Sequence, residues 1–248
     1  MSFFSTDKIT KTYQSTPVIE DVSVTLKRGE IVCLLGESGI GKTTLFQIMS
    51  GLDRPDTGAV FLDEKEITGI PGQVSYMLQK DLLMPFKTIV DNVAMPLRIK
   101  GEKWSVARSR AGAYLEDFGL LGYERHYPNQ LSGGMRQRAA LLRTILNQKE
   151  VILLDEPFSA LDSITKMEMH LWFLDLFSKL NISAFFITHD IDEAIFLSDR
   201  IYIMAGHPGR ITQELSVAEE RPRGADFYTS EAFIKIKKQI VAYLREKS

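Results

Sequence analysis

Apolar and polar positions alternate early in the chain. In "VIEDVSVTLKRGEIVCLLG" (Val18–Gly36) the alternation turns at Arg28-Gly29 and becomes a continuous apolar run. Alternation marks a half-buried strand, and a short continuous run bounded by turn residues marks a fully buried one. The first 35 residues therefore read as short strands. Thr43 to Ser50 reads as a helix ended by Gly51. Helical spacing then governs residues near 88–118. Thr88 stands three positions before Asp91 in a capping-box pattern, with Ile89, Val90, Val93 and Leu97 on one side. Ser105 starts a second helix with Val106, Ala113, Tyr114 and Phe118 as its apolar positions and Gly119 at its end. The stretch "LSGGMRQR" (Leu131–Arg138) opens a third, running to Asn147, with Ser132 placed to cap it. Strand "VILLD" (151–155), strand "AFFIT", helix "IDEAIFLS" and strand "RIYIMA" follow, and Phe233, Ile236, Ile240 and Leu244 stand at helical spacing in the tail from Ser230.

Strands alternating with helices predict an α/β fold whose sheet is mainly parallel, with ligands at the strand C-terminal ends. The helical block at about 86–147 interrupts that pattern. It is expected to be a subdomain inserted into a core of residues 1–85 and 148–215, with an antiparallel β part at the N-terminus. Residues 216–248 are expected to form a helical tail packed on the body. The 248 residues are 44% apolar and 25% charged, an ordinary globular composition. A formal net charge of -2 gives no global pull toward nucleic acid, so no nucleic-acid partner is expected. The single cysteine, Cys33, lies in an apolar run, where it reads as a small buried hydrophobe and excludes an intrachain disulfide. "MSFFSTDK" has no basic segment followed by an apolar one, so no signal peptide is expected. No apolar run approaches the roughly 20 residues needed to cross a bilayer. If the protein works at a membrane, another chain must hold it there.

The chemistry concentrates in a few short motifs. Gly36–Thr43, "GESGIGKT", fits G-x-x-x-x-G-K-[ST] with a strand before it and a helix after it. Its glycines let the backbone wrap phosphates, Lys42 reaches the β/γ-phosphates, and the Thr43 hydroxyl suits a Mg²⁺ ligand. The chain is therefore expected to bind a nucleoside triphosphate. "VILLDEP" delivers Asp155 at a strand end, where a second Mg²⁺ contact is needed, and then Glu156, which suits a base that polarises water. Alone, these would be two carboxylates on a solvated strand end. His189 follows the next strand and is expected on the same sheet edge as Asp155. Alone, a histidine at a strand end is more often structural. Gln79, after "VSYML", offers an amide for the metal or water, although a glutamine alone is a weak signal. Tyr13 offers a ring for adenine, although an aromatic in a β-hairpin is usually core. "LSGG" adds a second glycine-rich helix start, itself an anion site. Why one chain should carry two phosphate cradles is a question its own residues leave open.

Taken as an ordered set, "GESGIGKT", Gln79, "LSGGMRQR", "VILLDE", "SALD" and His189 resemble the ATP-binding cassette (ABC) ATPases over about residues 7–215. The resemblance implies a P-loop NTPase core in which Gly36, Glu37, Ser38, Gly39, Ile40, Gly41, Lys42, Thr43 and Thr44 hold ATP. It implies Mg²⁺ at Thr43, Gln79 and Asp155, Glu156 as catalytic base, His189 as the switch histidine and Tyr13 stacked on adenine. It also answers the question of the second cradle. Cassettes of this family pair head to tail, so Ser132, Gly133 and Gly134 complete the site of a second copy and Asp162 in "SALD" bridges the two subunits. Two departures stand out: Ile40 replaces a small residue, and Phe86 stands where many importer cassettes carry tryptophan. A single cassette without membrane spans implies an importer subunit on the cytoplasmic face of the membrane. It would work with separate permeases and, indirectly, an extracytoplasmic substrate-binding protein. "LLMPFKTIVDNV" and "GHPGRI" resemble the branch serving nitrate, sulfonates, taurine and thiamine-precursor pyrimidines. The alternative is a soluble ABC ATPase not coupled to transport.

Overall fold

The computed structural model describes residues 3–159 and 161–247. Met1, Ser2, Ala160 of "SALD" and Ser248 lie outside the described residues. The chain begins with β1 (Phe4–Tyr13), β2 (Thr16–Leu26) and β3 (Ile31–Leu35), then α1 (Lys42–Met49). β4 (Thr57–Leu62), β5 (Lys65–Glu66) and β6 (Ser75–Met77) follow. The helical block holds α2 (Ile89–Ile99), α3 (Trp104–Gly112) and α4 (Gly133–Ile145). β7 (Val151–Asp155), α5 (Ser163–Leu180), β8 (Ser183–Thr188), α6 (Ile191–Leu197), β9 (Arg200–Ala205), β10 (Arg210–Ser216) and α7 (Glu231–Lys247) complete the chain.

Two sheets form. The antiparallel one has the order β2-β1-β4-β5 and lies at the N-terminus. The other, β10-β9-β3-β8-β7-β6, is parallel from β9 to β6, and β10 runs antiparallel at its edge. Its central strands are buried throughout and apolar except at their ends, as a parallel sheet covered on both faces requires. Leu35 pairs with Thr188, Asp155 with Ile187 and Met77 with Leu154. That register brings the ends of β3, β8, β7 and β6 to one edge, and with them the phosphate loop, His189, Asp155 with Glu156, and Gln79. One hydrophobic cluster lies between this sheet, the helical block and α5 to α7, with Phe158, Phe173 and Phe177 among its buried rings. The second lies between the two sheets around α1.

The expected mixed α/β architecture is present, with several local differences. β1 and β2 are long, at 10 and 11 residues. α1 starts at Lys42, one residue earlier than expected. The helix expected from Ser105 to Gly119 begins at Trp104 and stops at Gly112. Ala107, Ala111, Leu115 and Phe118 turn inward, while Val106 and Tyr114 are exposed. The chain after Gly112 closes a series of turns instead, so the apolar spacing there came from two different conformations. Thr88 does cap α2, accepting the Asp91 N–H at 3.4 Å. In the tail, Phe233 and Ile240 are buried against the body, with Ile236 and Leu244 beside them.

Candidate active site

The loop between β3 and α1 is shaped by its glycines. Gly39 and Gly41 adopt φ of 82° and 105°, in the left-handed region. A Cβ on Gly41 would lie 2.4 Å from Ile19 Cγ2. Gly41 begins α1 with no side-chain cap, so the first-turn N–H groups point into a cavity of about 290 Å³. Val18, Ser38, Gly39, Gly41, Lys42, Thr43, Thr44, Gln79 and Glu156 line it. Lys42 is buried, and its ammonium donates to the carbonyls of Gly36 and Glu37, each at 2.7 Å. Burial pulls its pKa down, and the carboxylates of Glu156 and Asp155 oppose that fall. The Ile40 side chain is buried in the core below the loop, and Ile40 does not line this cavity.

Asp155 ends β7 beneath this loop. Its Oδ2 accepts from the Thr43 hydroxyl at 3.1 Å and from Tyr76 at 3.2 Å. Burial pushes its pKa up, and those two hydrogen bonds only partly offset the effect. A buried carboxylate in that condition favours a cation beside it. Glu156 follows with φ 46°, a strained value for a residue with a side chain. The turn aims its carboxylate between two expected partners. Gln79 Nε2 donates to Oε2 at 3.0 Å, and His189 Nδ1 lies 3.2 Å from Oε1.

The structure therefore brings Lys42, Thr43, Gln79, Asp155, Glu156 and His189 together. Tyr13 does not line the cavity but lies beside Thr44, which does; it is exposed at the end of β1, with Lys11 over its ring and its hydroxyl donating to Asp53. Burial and Asp53 push its pKa up to about 12. Ser132 caps α4, accepting the Met135 N–H at 3.3 Å, and Gly133 and Gly134 form its first turn. Neither Ser132 nor its glycines line the cavity around Lys42. Asp162 accepts from the Thr165 N–H at 3.1 Å and the Thr165 hydroxyl at 2.6 Å, just before and within the first turn of α5. Tyr76 was missed as a site residue. The alternation in "VSYML" does orient it opposite its buried neighbours Ser75 and Met77.

A phosphate loop, a buried carboxylate at the end of a parallel strand of the same sheet and a glutamate held between a glutamine and a histidine define a P-loop nucleoside triphosphatase. Residues 19–159 match the ABC transporter family. The chain is 42% identical over 238 residues to the formylaminopyrimidine import ATP-binding protein ThiZ of Halalkalibacterium halodurans, covering 94% of this chain and 92% of that one. It is 40% identical to the aliphatic sulfonates import ATP-binding protein SsuB 2 of Burkholderia cenocepacia, over 86% of this chain and 77% of that one. The nitrate import ATP-binding protein NrtD of Synechocystis is 35% identical, over 93% and 89%. A solved ATP-binding cassette, dimeric and bound to ADP and Pi, superposes with a TM-score of 0.76 at 30% identity, covering 88% of this chain and all of that one. The chain belongs to the ABC transporter family, and it is an ATP-binding, ATP-hydrolysing cassette of that family. No described helix is long and apolar enough to cross a membrane.

Proposed function

We propose that the chain is the subunit that hydrolyses ATP to drive import of a small solute through a separate transmembrane permease. It would sit at the cytoplasmic face of the membrane, and the permease would receive solute from an extracytoplasmic binding protein. Relatives named as import ATP-binding proteins support this reading over an ATPase uncoupled from transport. Their names span a formylaminopyrimidine, aliphatic sulfonates and nitrate, which supports reading the solute as a small polar or anionic compound. Residues 1–215 are read as the cassette, with the helical subdomain at about 86–147, and 216–248 as its tail.

The observation that carries the mechanism is Glu156, held at the end of β7 by Gln79 on one oxygen and His189 near the other. In that position its carboxylate takes the proton of a water attacking the γ-phosphate. Lys42 leaves the Gly36 and Glu37 carbonyls for the β/γ-phosphates, and the loop N–H groups from Gly36 to Thr44 orient them. His189 lies where it meets the γ-phosphate or the water, and Tyr13 stacks on the adenine. Thr43 and Asp155 fit Mg²⁺: a hydroxyl and one buried carboxylate in contact are the sparse protein ligand set this ion uses with phosphates. No cluster of three or more His, Cys, Asp or Glu able to cage a metal occurs among the described residues. Gln79 stands near enough to join that set. Bound Mg²⁺ would supply charge neutralisation on the β and γ oxygens.

Ser132, Gly133 and Gly134 lie outside this cavity, as a cradle intended for a second copy would. A dimeric cassette among the structural relatives supports a pairing of two copies, and we read it as one in which each copy's α4 start faces the other's nucleotide. Asp162 lies at that interface. The test is Glu156→Gln. It should retain ATP binding, lower turnover by about 10²–10⁴-fold and form ATP-dependent dimers seen by sedimentation. Adding Ser132→Arg should abolish those dimers without weakening ATP binding to the monomer. Turnover of Glu156→Gln within a few-fold of wild type removes Glu156 from its role. Loss of monomer ATP binding in Ser132→Arg removes the pairing.

A further inference from the structure

His189 is half-exposed, and Glu156 is the side chain that meets its ring. Its position must therefore be set largely from the backbone. The residue before it, Thr188, ends β8 fully buried. The Thr188 hydroxyl donates to Glu193 Oε2 at 2.6 Å and accepts the Asp190 N–H at 3.0 Å. One hydroxyl can do both, since it carries one proton and two lone pairs. Those two bonds join the residue before His189 to the residue after it and to the first turn of α6. Asp190 in turn caps α6, accepting the N–H groups of Asp192 and Glu193 at 2.9 and 3.3 Å.

Glu193 is 2% exposed, which is unusual for a carboxylate unless it is paired. Lys166 of α5 supplies the pairing, with Nζ 2.9 Å from Oε1, and the His170 ring lies near the same oxygen. Burial alone pushes Glu193 up, but the neighbouring His170 ring, the Thr188 hydroxyl and the Lys166 ammonium outweigh it and hold the carboxyl below its ordinary range. An acceptor paired with Lys166 thus lies directly behind the strand end that carries His189. Nothing in the ATP chemistry described above uses it.

We propose that Thr188 and Glu193 are a positioning pair for His189, fixing the peptide on both of its sides so that its ring stays aimed at the reacting phosphate. This rests on the role given to His189 above. Glu193 orients the hydroxyl, the hydroxyl holds the Asp190 amide, and Lys166 holds Glu193. Neither residue touches the nucleotide, so their effect reaches turnover only through the histidine.

The experiment measures kcat, ATP KM and thermal midpoint on the full chain. Thr188→Val keeps the volume and deletes the hydroxyl. It should lower kcat about 10-fold with ATP KM within about twofold of wild type, because misplacing one reacting group costs turnover before it costs binding. Thr188→Ser restores the hydroxyl and should bring kcat back to within about threefold. In a His189→Ala background, followed by single-turnover hydrolysis of radiolabelled ATP, Thr188→Val should change the rate less than about twofold. If Thr188→Val does not fold, Glu193→Met carries the same comparison, since Lys166 still has Asp190 at 3.3 Å to pair with. An equal loss in both backgrounds, an unchanged kcat, or a folded Thr188→Ser that stays slow would overturn the pair. His189→Ala with near-wild-type turnover would instead remove the role of the histidine itself.

Discussion

Asn92 lies in α2 with no exposed surface, and it carries the loop in front of that helix. Its Oδ1 accepts the Met84 N–H at 2.7 Å, and its Nδ2 faces the carbonyls of Met84, Lys87 and Thr88 at 3.0–3.1 Å. Two amide protons cannot fully serve three carbonyls, so the side chain makes about three bonds. At about 1 kcal/mol net for each, Asn92→Ala should destabilise the fold by about 3 kcal/mol. For a chain of this length that lowers the thermal midpoint by about 6–12 °C. Asn92→Asp keeps the shape and the bond from Met84 but aims an anionic oxygen at the carbonyls, so it should be no more stable than the alanine variant. Urea midpoints report the global loss, and amide exchange at Met84 and Lys87 reports the loop. A loss below about 1 kcal/mol, or unchanged exchange at those two amides, would refute the reasoning, because the loop would then be held by something else.

The same loop presents Phe86, which is 75% exposed. Phe86→Asp should uncouple ATP hydrolysis from transport in reconstituted vesicles while the isolated subunit keeps its ATP affinity, and cross-links placing the permease far from Phe86 would remove that contact. On the neighbouring surface, Arg108 grips Asp91 through Nε at 2.6 Å and Nη2 at 3.1 Å, and the guanidinium holds that carboxyl below its ordinary range. The sign follows directly: the folded state binds this proton less readily than the unfolded chain, so the pair's contribution is present above the ordinary carboxylate pKa of about 4 and is lost as pH falls below it. The difference in thermal midpoint between wild type and Arg108→Ala should therefore shrink on acidification from pH 7 to pH 3, and a constant difference would count against the pair.

Legibility in the sequence followed locality. The phosphate loop is contiguous, because wrapping a phosphate needs successive N–H groups and glycines at fixed offsets, and it stood out as "GESGIGKT". Asp155, Glu156 and His189 were legible for a second reason: parallel strands in register deliver their C-terminal ends to one edge, so a polar residue after a buried strand is already placed. α5 escaped notice because Met169, Phe173, Leu174, Leu176 and Phe177 are all buried, so its apolar positions form no narrow stripe. β4 has one buried residue, Val60, and no alternation to read. Thr188 and Glu193 are five apart, a separation that no single helix or strand brings together. The strand-to-helix turn at His189 does so, and only the fold shows it.

The loop from Gln79 to Lys87 is more than a tether between the site and Phe86. α4 grips it from the side: Arg136 Nε donates to Asp81 Oδ2 at 3.2 Å, and Arg143 donates to the carbonyls of Leu82 and Asp81 at 2.8 and 2.5 Å. Burial pulls the Arg143 pKa down, so this is a partly desolvated cation whose hydrogen bonds are costly to leave unmade. Two residues of separation from Asp81 then bring the chain back to Gln79, which holds Glu156. On its other side α4 donates from Gln137 to the carbonyl of Pro157, the residue after Glu156. One helix thus braces the glutamate from both directions, through the loop and through its own strand end. Displacing α4 relative to the residue after Glu156 would break the Gln137–Pro157 bond, which is buried. Under the proposed pairing, α4 begins at the nucleotide of the second copy. The helix that would meet that nucleotide is therefore the one bonded both to the loop carrying Phe86 and to the residue after Glu156.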